Sequence, residues 1–373
     1  MNLDRESLDA GIQVFLYPEE LDHTRPDELA AQVLGLGCDA VSVSVAYHRA
    51  RRVFPRHRRV SVLARSTLYL EPERSRYGTL VPAGSRSEPL LRFREACERA
   101  GLRFRAWVVG LHEGGLAAAH PGAAARLLDG SPAGHSLCPS APETVEYVAA
   151  LTGDVAAQLG PEAVDLEAGF HPAWEPSYTL TLALEPLSDR ARLLGAQCFC
   201  ESCRVFLGPD AEAHALAAAG PPFGDGAGAA EIPAELAAAR AASAGRLVAA
   251  VADSVHAEGS LLRVFASGPP EQAALQGVAP QSVEAADALL FGCGPLAGDE
   301  LLDRFGGLRS LAGRSGSVST NWTPERTALA ADVERLAAAG AEGLALYNLS
   351  LVPDAGLEAF RAAARAFRAA VPA

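Results

Sequence analysis

The sequence predicts an α/β fold, a (β/α)8 TIM barrel with long loops after strands 2 and 4. Eight short apolar segments alternate with segments of helical spacing, and this alternation indicates a mostly parallel sheet covered by helices. Eight such units in one chain of 373 residues favour a closed barrel over an open doubly wound sheet. No G-x-G-x-x-G pattern follows the first strand, which argues against a dinucleotide-binding fold. We therefore expect one barrel domain over residues 1–373, with a cysteine-rich insertion around 170–230.

The strand segments are short runs rich in Val, Leu and Phe. The first is almost wholly apolar, the second alternates Val with Ser, and the fourth carries Asp165 and Glu167 near its end. The predicted strands are, in chain order, 11–18, 39–45, 102–109, 163–167, 261–267, 288–292, 317–322 and 343–347.

The helical segments fall between these strands. Gly37 and Gly101 directly follow two of them, and glycine often ends helices because it adopts the left-handed conformation without steric cost. The main predicted helices are 26–36, 88–100, 142–159, 233–258 and 357–370. Residues 217–230 are rich in Gly, Pro and Ala, which predicts a mobile connection.

Charge and composition exclude several function classes. A formal net charge of -13 makes nucleic acid and anionic membrane poor partners, because both require a basic surface. The local exception is an arginine run, which we interpret as a solvated loop, with a phosphate or carboxylate site as the alternative: Arg49, Arg51, Arg52, Arg56, Arg58 and Arg59. The sequence contains no lysine, which excludes Schiff-base and pyridoxal-phosphate chemistry and P-loop phosphate binding.

The N-terminal residues and the cysteine count predict the cellular location. The first residues lack a basic-then-apolar leader, and no apolar run reaches membrane-spanning length. Seven cysteines, an odd number, fit reduced thiols better than a secreted disulfide framework. We expect a cytoplasmic protein.

In a barrel, the residues at the C-terminal ends of the strands, and in the loops that follow, line the active face. Glu167 ends an otherwise apolar strand, where partial desolvation raises the pKa of a carboxyl group and suits it to donate protons. Asp165 shares its face one layer deeper and is expected to support it, and Glu113 is a weaker catalytic candidate after strand 3. For Glu167, a structural ion pair with one of the many arginines is the alternative.

Other polar and aromatic residues at these strand ends are candidates for substrate binding. Trp174 and Trp322 fall in active-face loops, where sugars stack on aromatic rings, with core packing as an equal alternative for Trp322. The full predicted set is Tyr17, Tyr47, His48, His112, His171, Trp174, Asn321, Trp322, Tyr347 and Asn348.

Three thiols lie within six residues at Cys198, Cys200 and Cys203. Such C-x-C-x-x-C spacing lets a tight turn direct three sulfurs at one zinc ion, and a structural zinc site requires a fourth ligand from elsewhere. A redox pair or a chance cluster is the alternative.

The stretch from 135 to 204 resembles glycoside hydrolase family 42, the zinc-containing β-galactosidases. The resemblance rests on His135-Ser-Leu-Cys-Pro-Ser-Ala-Pro142, the helix after it, the acidic fourth strand and the cysteine triplet, about a fifth of the chain. It implies that Cys138 is the fourth ligand of a structural Zn2+ beside Cys198, Cys200 and Cys203. It also implies that Glu167 is the acid/base, and that the protein forms a homo-oligomer and binds a small carbohydrate.

Two departures from the family alter the expected mechanism. Leu166 stands where the family has an asparagine before the acid/base glutamate. Strand 7 ends at Asn321-Trp322 rather than at the family's nucleophilic glutamate. Retaining hydrolysis requires a second carboxylate roughly 5 Å from the acid/base, so an ordinary retaining mechanism is not expected.

Three functions remain open from the sequence. The first is a glycoside-hydrolase-like enzyme in which Glu113 or Asp165 positions water for an inverting reaction with Glu167. The second is a lyase, isomerase or transferase of natural-product metabolism that pairs Glu167 with a histidine. The third is a non-catalytic carbohydrate-binding pseudoenzyme.

Overall fold

A computed structural model describes residues 8, 10–174, 183–224, 231–232 and 234–371. Eight parallel strands form a closed barrel, because the first strand pairs with both the second and the eighth. The strands β1 to β8 are Gly11–Leu16, Ala40–Tyr47, Arg103–Val109, Ala163–Glu167, Leu261–Ser267, Ala288–Gly292, Ser317–Asn321 and Gly343–Tyr347. The predicted barrel and its strand order are confirmed.

Helices surround the barrel and bury one face against it. The helices α1 to α8 are Pro26–Gly35, Glu88–Ala100, Pro142–Leu159, Ala234–Ala257, Pro270–Gln276, Gly298–Ala312, Leu329–Ala338 and Asp354–Ala370. Gly101 ends α2 at a φ of 68°, the left-handed conformation that the sequence predicted there. Within the described ranges, none of the helices combines the length and the apolar composition that a bilayer-spanning segment requires.

The arginine-rich loop after β2 contains a β-hairpin that the sequence did not predict. Strands Ala50–Phe54 and Arg59–Leu63 pair antiparallel, and we call them the arginine hairpin. Alternate residues Arg52 and Phe54 are buried on its inner side, whereas Arg51 is exposed. The interpretation of this run as a solvated loop is therefore wrong for Arg52. The short strand Thr67–Leu68 then adds antiparallel to β2.

Two longer connections carry further structure. After β3 come the short helix Gly114–Ala119 and a second hairpin, Ala124–Arg126 with Pro132–Leu137. After β4, the described part of the loop contains helices Asp189–Gly195, Glu201–Arg204 and Ala211–Ala219. The first and the third of these pack in a second apolar cluster, separate from the main core. Of the segment 217–230, predicted as a mobile connection, residues 217–219 belong to the helix Ala211–Ala219, and residues 225–230 lie outside the described residues.

The barrel interior is layered. Its middle layer is polar and buried, with Gln13, Arg105, Asp165 and Arg263 in mutual contact. The layer toward the C-terminal ends of the strands is aromatic. This order places a hydrogen-bonded ionic layer beneath the face on which barrel enzymes carry their sites.

Candidate functional site

Glu167 is the last residue of β4 and lies at the C-terminal end of the barrel strands. Its Oε2 accepts a hydrogen bond of 2.6 Å from Nε1 of Trp107, which is buried on the neighbouring strand β3. The side chain is partly exposed and lines a cavity of about 110 Å³ together with His112, His171 and Gln276. An indole N–H cannot rotate away from its ring, so Trp107 fixes the orientation of one carboxylate oxygen.

Three phenols lie around this carboxylate. The Tyr17 hydroxyl is 3.1 Å from that of Tyr47 and 2.7 Å from that of Tyr347, and the three come from β2, β8 and the end of β1. Burial raises the pKa of each phenol, and the negative charge of Glu167 adds to the effect. The three hydroxyls therefore stay protonated at neutral pH, and they can donate hydrogen bonds but not act as phenolate nucleophiles.

Arg52 of the arginine hairpin covers two of these rings and was not among the predicted site residues. Its guanidinium lies 3.8 Å from the Tyr17 ring centre and 4.4 Å from that of Tyr47. Glu19 accepts from it at 2.6 Å, and the Tyr69 hydroxyl lies at 3.1 Å. The signal that could have identified it is the alternation of Ala50, Arg52 and Phe54 on one strand face.

Asp165, predicted to support Glu167, lies one layer deeper and belongs to the ionic layer. Its Oδ1 and Oδ2 accept from Arg263 at 2.7 and 2.8 Å, and Oδ2 also accepts from the Ser42 hydroxyl at 2.6 Å. Only 1% of its surface is exposed. Both oxygens are thus occupied by strands β2 and β5.

Glu113 caps the short helix that follows β3. Its Oε1 accepts from the backbone N–H groups of Gly115 and Leu116 at 3.2 and 3.4 Å. Burial raises the pKa of this carboxyl group. It lines a small recess with Tyr147 rather than the cavity of Glu167.

The predicted histidines have separate environments. His112 lines the Glu167 cavity and also a neighbouring cavity, which His48 lines too. His48 stacks on Tyr47 at a ring separation of 4.2 Å. His171 is buried in the wall, with Nε2 2.7 Å from the Ser243 hydroxyl, and burial lowers the pKa of its imidazole to about 3. Burial likewise keeps the pKa of His112 well below its usual range, so these imidazoles are neutral at pH 7.

Trp174 lies in a third cavity, of about 370 Å³, which shares Gln272 and Gln276 with the Glu167 cavity. Its ring contacts that of Phe223 edge to face at 6.1 Å. A substrate longer than one sugar ring could therefore extend from Glu167 toward an indole face.

The remaining predicted residues lie on the opposite half of the mouth. Trp322 packs against the main core beside Val352 and Gly356, so core packing accounts for its position. Asn321 is partly exposed at the end of β7. Asn348 is buried, and its side chain caps the turn after β8 by accepting from Ser350 N–H at 2.9 Å. Their part in substrate binding stays a prediction.

The four cysteines that the resemblance grouped do converge. The Sγ atom of Cys138 lies 3.9, 3.6 and 3.4 Å from those of Cys198, Cys200 and Cys203. Four thiolates around one zinc ion at about 2.3 Å are separated by about 3.8 Å, so the spacing fits a tetrahedral site. All four residues are buried, and the Arg126 backbone N–H donates to Cys198 Sγ at 3.2 Å. This closed cluster can hold a metal ion that joins the second hairpin to the insertion.

Neither a family model nor a curated protein matches the chain. Solved structures match its fold. Alpha-L-fucosidase isoenzyme 2 from Paenibacillus thiaminolyticus superposes with a TM-score of 0.60 at 12% identity, over 96% of this chain and 49% of that chain. The catalytic domain of beta-amylase from Paenibacillus polymyxa gives 0.60 at 12%, over 98% and 99%. A GH42 beta-galactosidase from G. stearothermophilus gives 0.58 at 11%, over 95% and 56%. The chain thus spans about half of the fucosidase and of the GH42 enzyme, and the similarity establishes the (β/α)8 barrel fold.

Proposed function

We propose that the chain is an enzyme that acts on a small sugar or glycosylated metabolite, with Glu167 as its general acid/base. The observation that carries the proposal is the geometry of Glu167 itself. One oxygen is fixed by the indole N–H of Trp107 at 2.6 Å, and the carboxyl group faces a cavity at the C-terminal end of the barrel. The solved barrels of similar fold are named as glycosidases, which favours a sugar as substrate.

In this reaction Glu167 would donate its proton to the glycosidic oxygen. The phenols of Tyr17 and Tyr347 would lie below the sugar and donate hydrogen bonds to its hydroxyls. An inverting reaction also needs a second carboxylate that positions water, with the two carboxyl groups roughly 6.5 to 9.5 Å apart. Asp165 or Glu113 would have to give up the partners that now occupy their oxygens.

Because the oxygens of both possible partner carboxylates are already hydrogen-bonded, a second candidate function is favoured, namely non-hydrolytic acid–base chemistry such as a lyase, isomerase or transfer reaction. Among the described residues that line the Glu167 cavity, no other carboxylate occurs, whereas His112 and His171 do. His112 is neutral because burial lowers the pKa of its imidazole, so it can accept a proton. Glu167 and His112 would then act as the acid and the base.

The test is a glycoside screen with the wild-type chain and Glu167→Gln, run in water enriched in oxygen-18. We expect turnover to fall by about 10²–10⁴-fold in the variant, the usual contribution of a general acid. Glu334→Gln, an exposed residue of α7, is the matched control and should leave turnover unchanged. Incorporation of oxygen-18 into the sugar product identifies hydrolysis, and its absence identifies the second candidate. Undiminished turnover in Glu167→Gln, or tight sugar binding with no turnover of any glycoside, contradicts the proposal.

We further propose that the four-cysteine cluster holds one structural Zn2+. The four thiolates would fill every position of the ion, so it would hold the insertion in place rather than bind substrate. Metal analysis should find one zinc per chain, and Cys200→Ser should lose it and make the segment 183–224 sensitive to protease. Cys97→Ala, a buried thiol in the main core, is the control that should retain zinc. Unchanged zinc in Cys200→Ser would refute the assignment.

A further inference from the structure

The cavity that Glu167 lines is small, and the aromatic layer beside it is covered. The cavity measures about 110 Å³, whereas sites for small organic ligands commonly measure roughly 300–1,000 Å³. Tyr17 is 2% exposed and Tyr47 is 8% exposed, and neither ring is among the described residues that line the cavity. A ligand of the size of a sugar can therefore reach these rings only if the element that covers them moves.

That element is the arginine hairpin. Three apolar residues of the hairpin pack in the aromatic cluster of the barrel mouth, namely Ala50, Phe54 and Leu63. On the same inner side, the guanidinium of Arg52 lies 3.8 Å from the ring centre of Tyr17 and 4.4 Å from that of Tyr47. Sugars bind to the faces of aromatic rings, so Arg52 occupies the space that a sugar on Tyr17 would need.

The hairpin joins the barrel at one narrow place. The last residue of β2 pairs with Thr67, and the first rung of the hairpin itself is the pair of Ala50 and Leu63. The connections 48–49 and 64–66, which lie between these two rungs in the described part of the chain, belong to no strand. Two short connections side by side can act as a hinge, about which the hairpin rotates without breaking its own cross-strand hydrogen bonds.

Two consecutive glutamates in the loop after β1 hold the hairpin in its closed position. Glu19 accepts a hydrogen bond of 2.6 Å from Arg52. Glu20 is completely buried and accepts from Arg56 at 3.1 Å, and its other oxygen lies 2.8 Å from Nε2 of His57. The contacts of Glu20 thus fasten the tip of the hairpin, at the end opposite to the hinge. We call the two glutamates and these three partners the latch.

The closed latch leaves several polar atoms without partners. Among the described residues, Nε and Nη2 of Arg52 and Oε2 of Glu19 are buried and have no hydrogen-bond partner. The same is true of Nε of Arg56. Buried polar atoms of this kind lose their hydration without compensation, so opening, which returns them to water, offsets part of the cost of breaking the ion pairs. This balance favours a hairpin with two accessible positions over a fixed wall.

We propose that the arginine hairpin is an autoinhibitory lid. In the closed position Arg52 covers the ring faces of Tyr17 and Tyr47, and when the latch breaks, a ligand takes its place. Ligand and lid compete, so the apparent affinity for the ligand is reduced in proportion to the fraction of open molecules. That the ligand is a sugar rests on the proposed function, whereas the movement of the hairpin does not.

Thiol labelling measures the opening without any ligand. Ser61 lies opposite Arg52 on the inner face of the hairpin, and Val62 is 65% exposed on its outer face. Ser61→Cys and Val62→Cys are therefore matched probes, and peptide mass spectrometry separates them from the native thiols. Cys97, which is buried in the main core, reports global unfolding. We expect the thiol of Ser61→Cys to react about tenfold more slowly than that of Val62→Cys, because it is protected while the lid is closed.

A weakened latch should raise only the labelling of the inner face. Glu20→Gln removes the charge that Arg56 and His57 share, and it should speed the labelling of Ser61→Cys about tenfold, while Val62→Cys and Cys97 react as before. His57→Gln breaks one contact of the same latch and should have the same effect to a smaller degree, which keeps the test decisive if Glu20→Gln does not fold.

Glu28→Gln is the matched control for the loss of charge. It breaks an exposed ion pair with Arg25, away from the hairpin, and should leave every labelling rate unchanged. If the labelling of Ser61→Cys is the same with and without the latch variants, or rises only together with that of Cys97, the hairpin is a fixed wall and the proposal is overturned.

Binding calorimetry with methyl β-galactoside and methyl β-glucoside provides the second measurement. Glu20→Gln should lower the Kd by about the factor by which it raises the labelling of Ser61→Cys, because the open fraction limits both. An unchanged Kd beside faster labelling, or binding of neither glycoside to Glu20→Gln, would refute competition between a sugar and Arg52. Latch-dependent labelling in a chain that turns over no glycoside would leave the lid standing and refute the proposed function, so the two failures are distinguishable.

Discussion

Asp165 and Glu167 lie two residues apart on β4 and project to the same side, yet their surroundings differ in kind. Asp165 is 1% exposed, and Arg263 and Ser42 occupy both of its oxygens. One oxygen of Glu167 accepts from the N–H of Trp107, and its side chain lines a cavity. Two carboxyl groups on one strand thus lie in different surroundings, one inside a buried ionic layer and the other at a cavity.

The difference arises from the layer that each carboxyl group occupies. At the level of Asp165, β1, β3 and β5 contribute Gln13, Arg105 and Arg263, and Gln13 accepts from both arginines at 2.6 Å. Arg105 also pairs with Glu162 at 2.8 Å, so each buried guanidinium has a carboxylate partner. One layer above, the neighbours are aromatic: Trp107 donates to Glu167, and the rings of Tyr17, Tyr47 and Phe15 belong to the same cluster. A carboxyl group in such surroundings can exchange a proton at low cost.

The largest expected effect is the loss of the compensated layer. Asp165→Asn should lower the free energy of unfolding by about 3–5 kcal/mol, because it removes the carboxylate that compensates the charge of the buried Arg263. Glu167→Gln should change the free energy of unfolding by less than about 1 kcal/mol, since its carboxyl group is partly exposed and keeps an acceptor for Trp107. Denaturant unfolding of both variants measures the contrast.

A control separates lost charge compensation from lost packing. The double variant Asp165→Leu/Arg263→Met removes both charges and keeps the volume, and it should recover most of the stability lost in Asp165→Asn. If Asp165→Asn and Glu167→Gln destabilise the chain equally, the two carboxyl groups do not differ as described.

Acidification should affect the mouth before the ionic layer. Burial holds the pKa of His48 at about 4, below the ordinary value of 6.5. Between pH 6.5 and pH 4, this histidine therefore binds a proton in the unfolded chain but not in the folded chain. Stability should therefore fall as the pH drops from about 6.5 to about 4, and His48 should account for about 2 kcal/mol of this loss at pH 4.5. Unfolding of His48→Gln across this range measures it, because the variant should show a flatter pH dependence.

His214→Gln is the control for that experiment, since His214 is exposed on a helix of the insertion. It should retain the wild-type pH dependence. A His48→Gln variant with the same slope as the wild type would mean that His48 titrates alike in the folded and unfolded chains.

The barrel could be predicted because its signals are local. Apolar runs and terminal glycines such as Gly101 place strands and helices within a few residues, and strand ends identify Glu167 without knowledge of its partners. The partners are not local. Asp165 finds Arg263 at a separation of 98 residues, and Arg52 is buried on the rings of Tyr17 and Tyr47 although its own sequence surroundings suggest a solvated loop. Which buried charge meets an opposite charge depends on how the strands come together when the barrel closes. These pairings cannot be predicted from local sequence patterns.

The smallest expected effect concerns the hydrogen bond from Trp107 to Glu167. Trp107→Phe removes the indole N–H and keeps an aromatic ring against Phe15 and Tyr47, which lie at centroid distances of 5.0 and 5.1 Å. We expect the melting temperature to change little and kcat on the substrate found in the screen to fall about tenfold, or about 1.4 kcal/mol of barrier, with KM nearly unchanged. A purely structural Trp107 would lower stability and leave kcat of the folded fraction intact. Such a result would mean that the indole N–H does not orient Glu167 for the reaction.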